Sequence, residues 1–260
     1  MRMKIDVELD YTLAEPGPAI LVFEAAGAEG QNLTSTTVDF GNVGHVGRVP
    51  AEEGIGEKIL IRAADRITCS YSSDVTITRA LPDFSALNEV QIDQMPGDAL
   101  RYLLPSRYCQ AERFVPFATQ RFGNLRGGAK VMAIRDWCED RLDYVAGTSD
   151  ALTTAGDTFL SRQGVCRDYA HLMIALCRAA QIPARIASVF APSVEPPDFH
   201  AVVEVFLDGA WHLIDPTGMA RADNMALIAV GRDAVDIAFM TTNSFAELQR
   251  QSVSAVELPG

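Results

Sequence analysis

The sequence predicts an α+β protein, with one long helix packed on an antiparallel sheet and a β-rich module ahead of them at the N-terminus. Three stretches carry that expectation. Residues 1 to about 80 alternate and turn like a succession of short strands. Cys166 to Ala180 runs through strong helix formers and apolar residues, with no Gly or Pro until Pro183. Asp198 to Asp215 reads as two strands joined at Asp208-Gly209.

In chain order, Ile5-Asp6-Val7-Glu8-Leu9 alternates apolar and polar, Glu15-Pro16-Gly17-Pro18 turns, and Ala19 to Phe23 is an apolar run of strand length. Gly56 to Arg62 and Arg66 to Arg79 supply further strands. Strands at this spacing, separated by Gly- and Asn-rich turns, predict an antiparallel sandwich or half-sandwich. Gly41, Gly44 and Gly47 are three apart, and Gly54-Ile55-Gly56 is a lone G-x-G. None opens a helix after a strand, so these are turns rather than phosphate cradles.

Pro82-Asp83 and Pro96-Gly97 break the pattern between Leu81 and Gly97 and divide the chain into expected units at 1–90 and 91–260. Short helical pieces follow at Ala99 to Leu104 and Arg113 to Phe122. Gly127-Gly128 starts an amphipathic helix to about Asp143, with Trp137 and Cys138 on its core side. Residues 146–152 read as a loop, and Thr153 or Thr154 caps a short helix ending at Gly164. Beyond Asp215, Met225 to Val230 and Ile237 to Thr241 read as strands, and Phe245 to Leu258 closes the second unit.

At 260 residues, 48% hydrophobic and 22% charged, the chain has ordinary globular proportions and enough apolar material for a sizeable core. A net charge of −12 with no offsetting basic patch argues against nucleic acid or an anionic membrane as partner. Met1 to Asp6 runs directly into an alternating strand, so neither a signal peptide nor a membrane span is expected, and the cytoplasm is the expected location. Five cysteines, Cys69, Cys109, Cys138, Cys166 and Cys177, are odd in number, widely spaced and lack any C-x-x-C. Neither a zinc site nor a disulfide framework is expected from them, and no cofactor is implied.

One cysteine stands apart. Gly164 permits a tight turn, and Cys166 then falls in the first turn of the long helix. Unpaired backbone N–H groups and the positive end of the helix dipole favour thiolate over thiol there. The hairpin offers partners. With Asp208-Gly209 as the turn, Leu207 pairs with Ala210, and Val202 falls opposite Asp215 on the face that carries His200. His200 and Asp215 become diagonal neighbours about 7–8 Å apart at the backbone, within reach of a carboxylate–imidazole hydrogen bond. His212 points to the other face. His171 lies five residues past Cys166, about 140° around the helix, and cannot serve that thiol as base.

Gly164-Val165-Cys166-Arg167-Asp168-Tyr169-Ala170, Leu176-Cys177-Arg178 and Ile182-Pro183-Ala184-Arg185 resemble the core of the transglutaminase-like superfamily of bacterial enzymes. A second block, His200-Ala201…Glu204-Val205, Gly209…Trp211 and Asp215-Pro216, is similar as well, although Val202 stands where that family often has Trp. The resemblance implies a papain-like, transglutaminase-core domain with Cys166, His200 and Asp215 as its catalytic triad. It also implies thiol chemistry on an amide or isopeptide bond of a peptide or protein substrate. The expected activity is that of a cysteine protease or amidase, through a thioester. Transamidation to an amine and a silent binding module on the same fold stay open. A metal-dependent hydrolase lacks ligand spacing. The backbone N–H of Cys166 is one expected oxyanion donor; a second is not readable from the sequence, and Gln163 and Tyr108, the two candidates, read better as structural.

Overall fold

The structure is a computed structural model that describes residues 1–259. Six strands come first: β1 (Arg2–Leu13), β2 (Gly17–Leu21), β3 (Gln31–Asp39), β4 (His45–Pro50), β5 (Glu57–Ala63) and β6 (Arg66–Ile77). Helices α1 (Gly97–Leu100), α2 (Val115–Phe122) and α3 (Gly127–Arg141) lead through the two-residue β7 (Asp143–Tyr144) to α4 (Ala155–Ser161) and β8 (Gln163–Gly164). The long α5 (Cys166–Ala179) follows. Then come β9 (Ala184–Phe190), β10 (His200–Leu207), β11 (Ala210–Ile214), β12 (Ala226–Gly231), α6 (Ala234–Ile237), β13 (Met240–Thr242) and β14 (Ala246–Leu258).

Alternation decides what the outer strands bury. Met3, Ile5, Val7 and Leu9 of β1 and Ile67, Cys69, Tyr71 and Val75 of β6 turn inward, in one cluster with Leu21, Ile59 and Ile61 from the neighbouring sheet. The sheets run β14-β1-β6-β3 and β13-β2-β5-β4, and the third, β11-β10-β9-β12, carries the long helix. All three are antiparallel; among the described residues only the β7–β8 ladder is parallel. The result is a mixed helix and antiparallel-sheet fold.

Several elements differ from the sequence reading. The stretch expected to close the 91–260 unit, β14, instead pairs along the whole of β1, so the first sheet is built from both ends of the chain. The sequence predicts no strand over β3, and Gly44 and Gly47, beside and within β4, read there as turns. The residues of both strands are almost all exposed, so no apolar period marks them. Strand β9 is buried at every position and therefore also lacks alternation, as strands covered on both faces do. Ile237 ends α6 rather than opening a strand, because Asp233 caps that turn by accepting the Val235 N–H.

Helix α5 is buried from Asp168 to Ala179, lying on β9 and β10 with α3 and α4 beside it. Each large apolar side chain covered there contributes about 1.5–3 kcal/mol. Gln181, at φ +64°, and the Ile182 N–H to Cys177 O bond of 2.9 Å end the helix before Pro183. Arg178 is not a solvated helix-end charge. It is buried and donates to the carbonyls of Leu104, Ala184 and Arg232 and to Ser106 Oγ, tying the helix end to three segments. Among the described residues, no helix is long and apolar enough to cross a membrane.

Candidate active site

Local rules set Cys166 at its post. Val165 is extended and caps α5, whose first residue is Cys166. The carboxylate of Asp168 reaches back to accept the Val165 N–H at 2.8 Å. A Cβ on Gly164 would lie 2.6 Å from the Asp168 side chain, so Gly at 164 and Asp at 168 form one device that closes the turn under the thiol. Cys166 is half-buried, whereas Cys69, Cys109, Cys138 and Cys177 are buried. Burial pushes the thiols of Cys69, Cys109 and Cys177 up to about 12 and that of Cys138 well above its ordinary range.

The hairpin has the expected register, from Leu207↔Ala210 to Val203↔Ile214. Asp208 and Gly209 both have positive φ, at 47° and 79°, as a tight turn matched to strand twist requires. His200 therefore opens β10 beside the end of β11, and its Nε2 lies 2.9 Å from Asp215 Oδ2. Both residues are buried. Asp215 Oδ1 accepts the Thr217 N–H and hydroxyl, each at 2.8 Å, and Oδ2 accepts the Ala220 N–H at 2.9 Å. Burial alone would raise the Asp215 carboxyl, but His200 and the Thr217 donors hold it below the usual carboxylate range. Burial alone would lower His200, yet the Asp215 hydrogen bond and the Cys166 thiol raise it to about 10.

The other ring nitrogen, His200 Nδ1, is buried with no hydrogen-bond partner. Cys166 and His200 line the same cavity of about 650 Å³. His171 and His212 lie outside this cluster. His171 is buried, stacks on Tyr108 at 4.9 Å and accepts the Ala234 N–H; burial pushes it down to about 3, so it is neutral. His212 is half-buried, with its Nε2 3.2 Å from the Leu207 carbonyl.

Of the two sequence candidates for a second oxyanion donor, Tyr108 is a wall residue whose hydroxyl donates to Ala151 O at 2.6 Å. Gln163 is exposed and pairs through its backbone with Asp143. Sequence reasoning missed Tyr144. The β7–β8 ladder sets it opposite Gly164, two residues before the thiol. Burial, then the neighbouring Cys166 thiol, push its phenol up to about 12, while the Cys166 backbone N–H pulls the other way. Nothing in Asp143-Tyr144 marks this placement beside Cys166, because a two-residue ladder has no period to read.

The family model of the transglutaminase-like superfamily matches residues 117–216. The crystal structure of a candidate cysteine protease from Cytophaga hutchinsonii has a TM-score of 0.94 and 31% sequence identity, covering 100% of this chain and 91% of that one. The chain belongs to the transglutaminase-like superfamily. An uncharacterized protein of Mycobacterium leprae is 31% identical over 181 residues, 64% of this chain and 64% of its own length. In this transglutaminase-like protein the family match runs from α2 to Pro216, the residue after Asp215, and spans Cys166 and His200 as well.

Proposed function

We propose that this transglutaminase-like protein is a thiol-dependent amide or peptide-bond hydrolase, with Cys166 as nucleophile, His200 as base and acid, and Asp215 as the group that orients the ring. The supporting observation is the division of labour on the imidazole. Nε2 is committed to Asp215 at 2.9 Å, while Nδ1 is buried and, among the described residues, without a hydrogen-bond partner, and His200 and Cys166 line one cavity. A ring holding its neutral-state proton on Nε2 presents a lone pair at Nδ1.

Nδ1 holds the thiol proton before attack begins, in keeping with a ring raised to about 10, so thiolate and imidazolium are the reacting pair. The thiolate attacks the carbonyl carbon, a C–S bond forms, and the carbonyl electron pair moves to oxygen. The imidazolium then returns its proton to the departing nitrogen as the C–N bond breaks, leaving a thioester. Nδ1 next takes a proton from water, the hydroxide adds to the thioester carbon, and the C–S bond breaks to release acid and thiolate. The Cys166 N–H and the Tyr144 hydroxyl are the proposed donors to the oxyanion. Nucleophile on a helix start and base and orienter on a sheet make the arrangement papain-like. The likeness in fold to the Cytophaga candidate cysteine protease supports peptide bonds as the target.

The test is a fluorogenic peptide library incubated with and without a fluorescent primary amine, using Cys166→Ala as control. Cleavage that the amine does not divert supports hydrolysis. Amine adducts without cleavage replace it with transamidation, and neither product from any peptide removes the catalytic reading.

A further inference from the structure

The charged side chains that line the cavity have the opposite sign to the molecule's net charge. The chain carries 34 acidic and 22 basic residues, for a net charge of −12. Yet the charged side chains on the cavity wall beside Cys166 and His200 are Arg107 and Arg167, and no Asp or Glu among the described residues lines it. The rest of the wall is largely apolar and includes Phe199, Phe239 and Met240. Phe199 and Phe239 stack at 5.2 Å, so these two aromatic side chains of the wall brace each other.

The two arginines are not equivalent. Arg167 is committed: its guanidinium donates to Ser149 Oγ at 3.2 Å and to the Asp150 carbonyl at 3.1 Å, bracing the loop beside the cavity. Arg107 is exposed, and its guanidinium lies over the Tyr108 ring at 5.1 Å. Among the described residues its side chain makes no hydrogen bond and no ion pair. A guanidinium beside a ring uses its face for that contact and keeps its N–H donors for other partners, and its planar fork matches a carboxylate in two-point geometry. The flanking carboxylates are already engaged. Asp150 accepts from Leu152 and Thr153, and Asp198 from Phe199 and Gln251.

Resting on the hydrolase reading for the class of ligand, we propose that the cavity takes a peptide segment that pairs a large apolar side chain with an adjacent carboxylate. The apolar group packs on Phe199, Phe239 and Met240, and the carboxylate sits on Arg107. An overall negative surface that repels such a peptide elsewhere makes this cavity its favoured docking point.

The experiment uses three fluorescein-labelled peptides with a central Phe flanked on both sides by Glu, by Gln or by Lys. Their binding is measured by polarisation on the full chain carrying Cys166→Ala, and their cleavage on the wild type. The Glu peptide is expected to bind about tenfold more tightly than the Gln peptide at low salt, and the Lys peptide most weakly. Arg107→Glu, an exposed change, should invert the Glu-to-Lys order. Arg107→Lys, which keeps charge but loses the planar fork, should retain part of the preference. Equal binding of the three peptides, no binding of any, or an order that Arg107→Glu leaves intact overturns the proposal. Acidic preference in binding with no cleavage of any peptide would remove the hydrolase reading and keep this one; cleavage without preference would do the reverse.

Discussion

Asp215 Oδ2 lies 2.9 Å from His200 Nε2 and accepts the Ala220 N–H at the same distance, so one oxygen serves both the ring and the turn behind it. The partner oxygen is occupied by two donors from Thr217. An amide cannot replace this carboxylate in either orientation. One end of Asn would always present N–H to groups that are themselves donors.

Asp215→Asn therefore carries two costs together. Its kcat should fall by about 10–10³, less than in a serine-protease triad because a thiol is easier to ionise than a hydroxyl. An unpaired buried donor should also cost about 1–3 kcal/mol, seen as a fall in melting temperature of several degrees. Near-wild-type kcat would remove Asp215 from the triad, and unchanged melting would contradict the set of donors placed on its carboxylate.

The hairpin geometry was legible because Asp208-Gly209 and period-two strands leave little freedom in register; the nucleophile's helix was legible from a Gly-led, Pro-free run. What escaped the sequence lacked a period. Strand β9 is buried throughout, β3 is exposed on both faces, and the pairing of β14 with β1 joins residues at opposite ends of the chain. The donors on Asp215 from Thr217 and Ala220 follow turn geometry rather than residue type, and backbone N–H groups leave no mark in a sequence.

Cysteine accessibility supplies the second expectation. Iodoacetamide at pH 6.5 should label half-buried Cys166 well ahead of Cys69, Cys109, Cys138 and Cys177, which are buried and whose thiols burial keeps protonated. Mass spectrometry of the native protein reads the sites directly. Equal labelling of all five, or none at Cys166, would end its candidacy as nucleophile.

His200 should make stability depend on pH in a definite direction. Its folded pKa, about 10, stands above the ordinary 6.5, so the folded state holds the proton more tightly than the unfolded chain. The stabilisation is complete below pH 6.5 and is lost as pH rises through about 10. The melting-temperature advantage of wild type over His200→Gln should then shrink between pH 6 and pH 10. Asp215 acts oppositely: its carboxyl is lowered, so its contribution is present above the ordinary 3.8 and fades only in stronger acid. An advantage that grows with pH would show that His200 is not held charged by Asp215 and Cys166.

Tyr144 separates two uses of the same hydroxyl. With its phenol pushed up to about 12, it keeps its proton at neutral pH and is a donor beside the Cys166 N–H. If it joins that N–H in holding the oxyanion, Tyr144→Phe removes a donor needed only in the transition state. Loss of one such donor costs about 10²–10³ in kcat in the serine-protease case, with KM little changed. If the hydroxyl instead occupies the N–H of Cys166 at rest, substrate must displace it, and Phe should raise kcat/KM. Packing differs little between the two, because the ring is 41% exposed and keeps its contact with Tyr169 in either variant. Steady-state kcat and KM of Tyr144→Phe on one cleaved peptide, with melting temperature as the control, decide between them: a kcat loss at unchanged melting assigns the phenol to the oxyanion, and a gain in kcat/KM assigns it to a resting cap on the nucleophile.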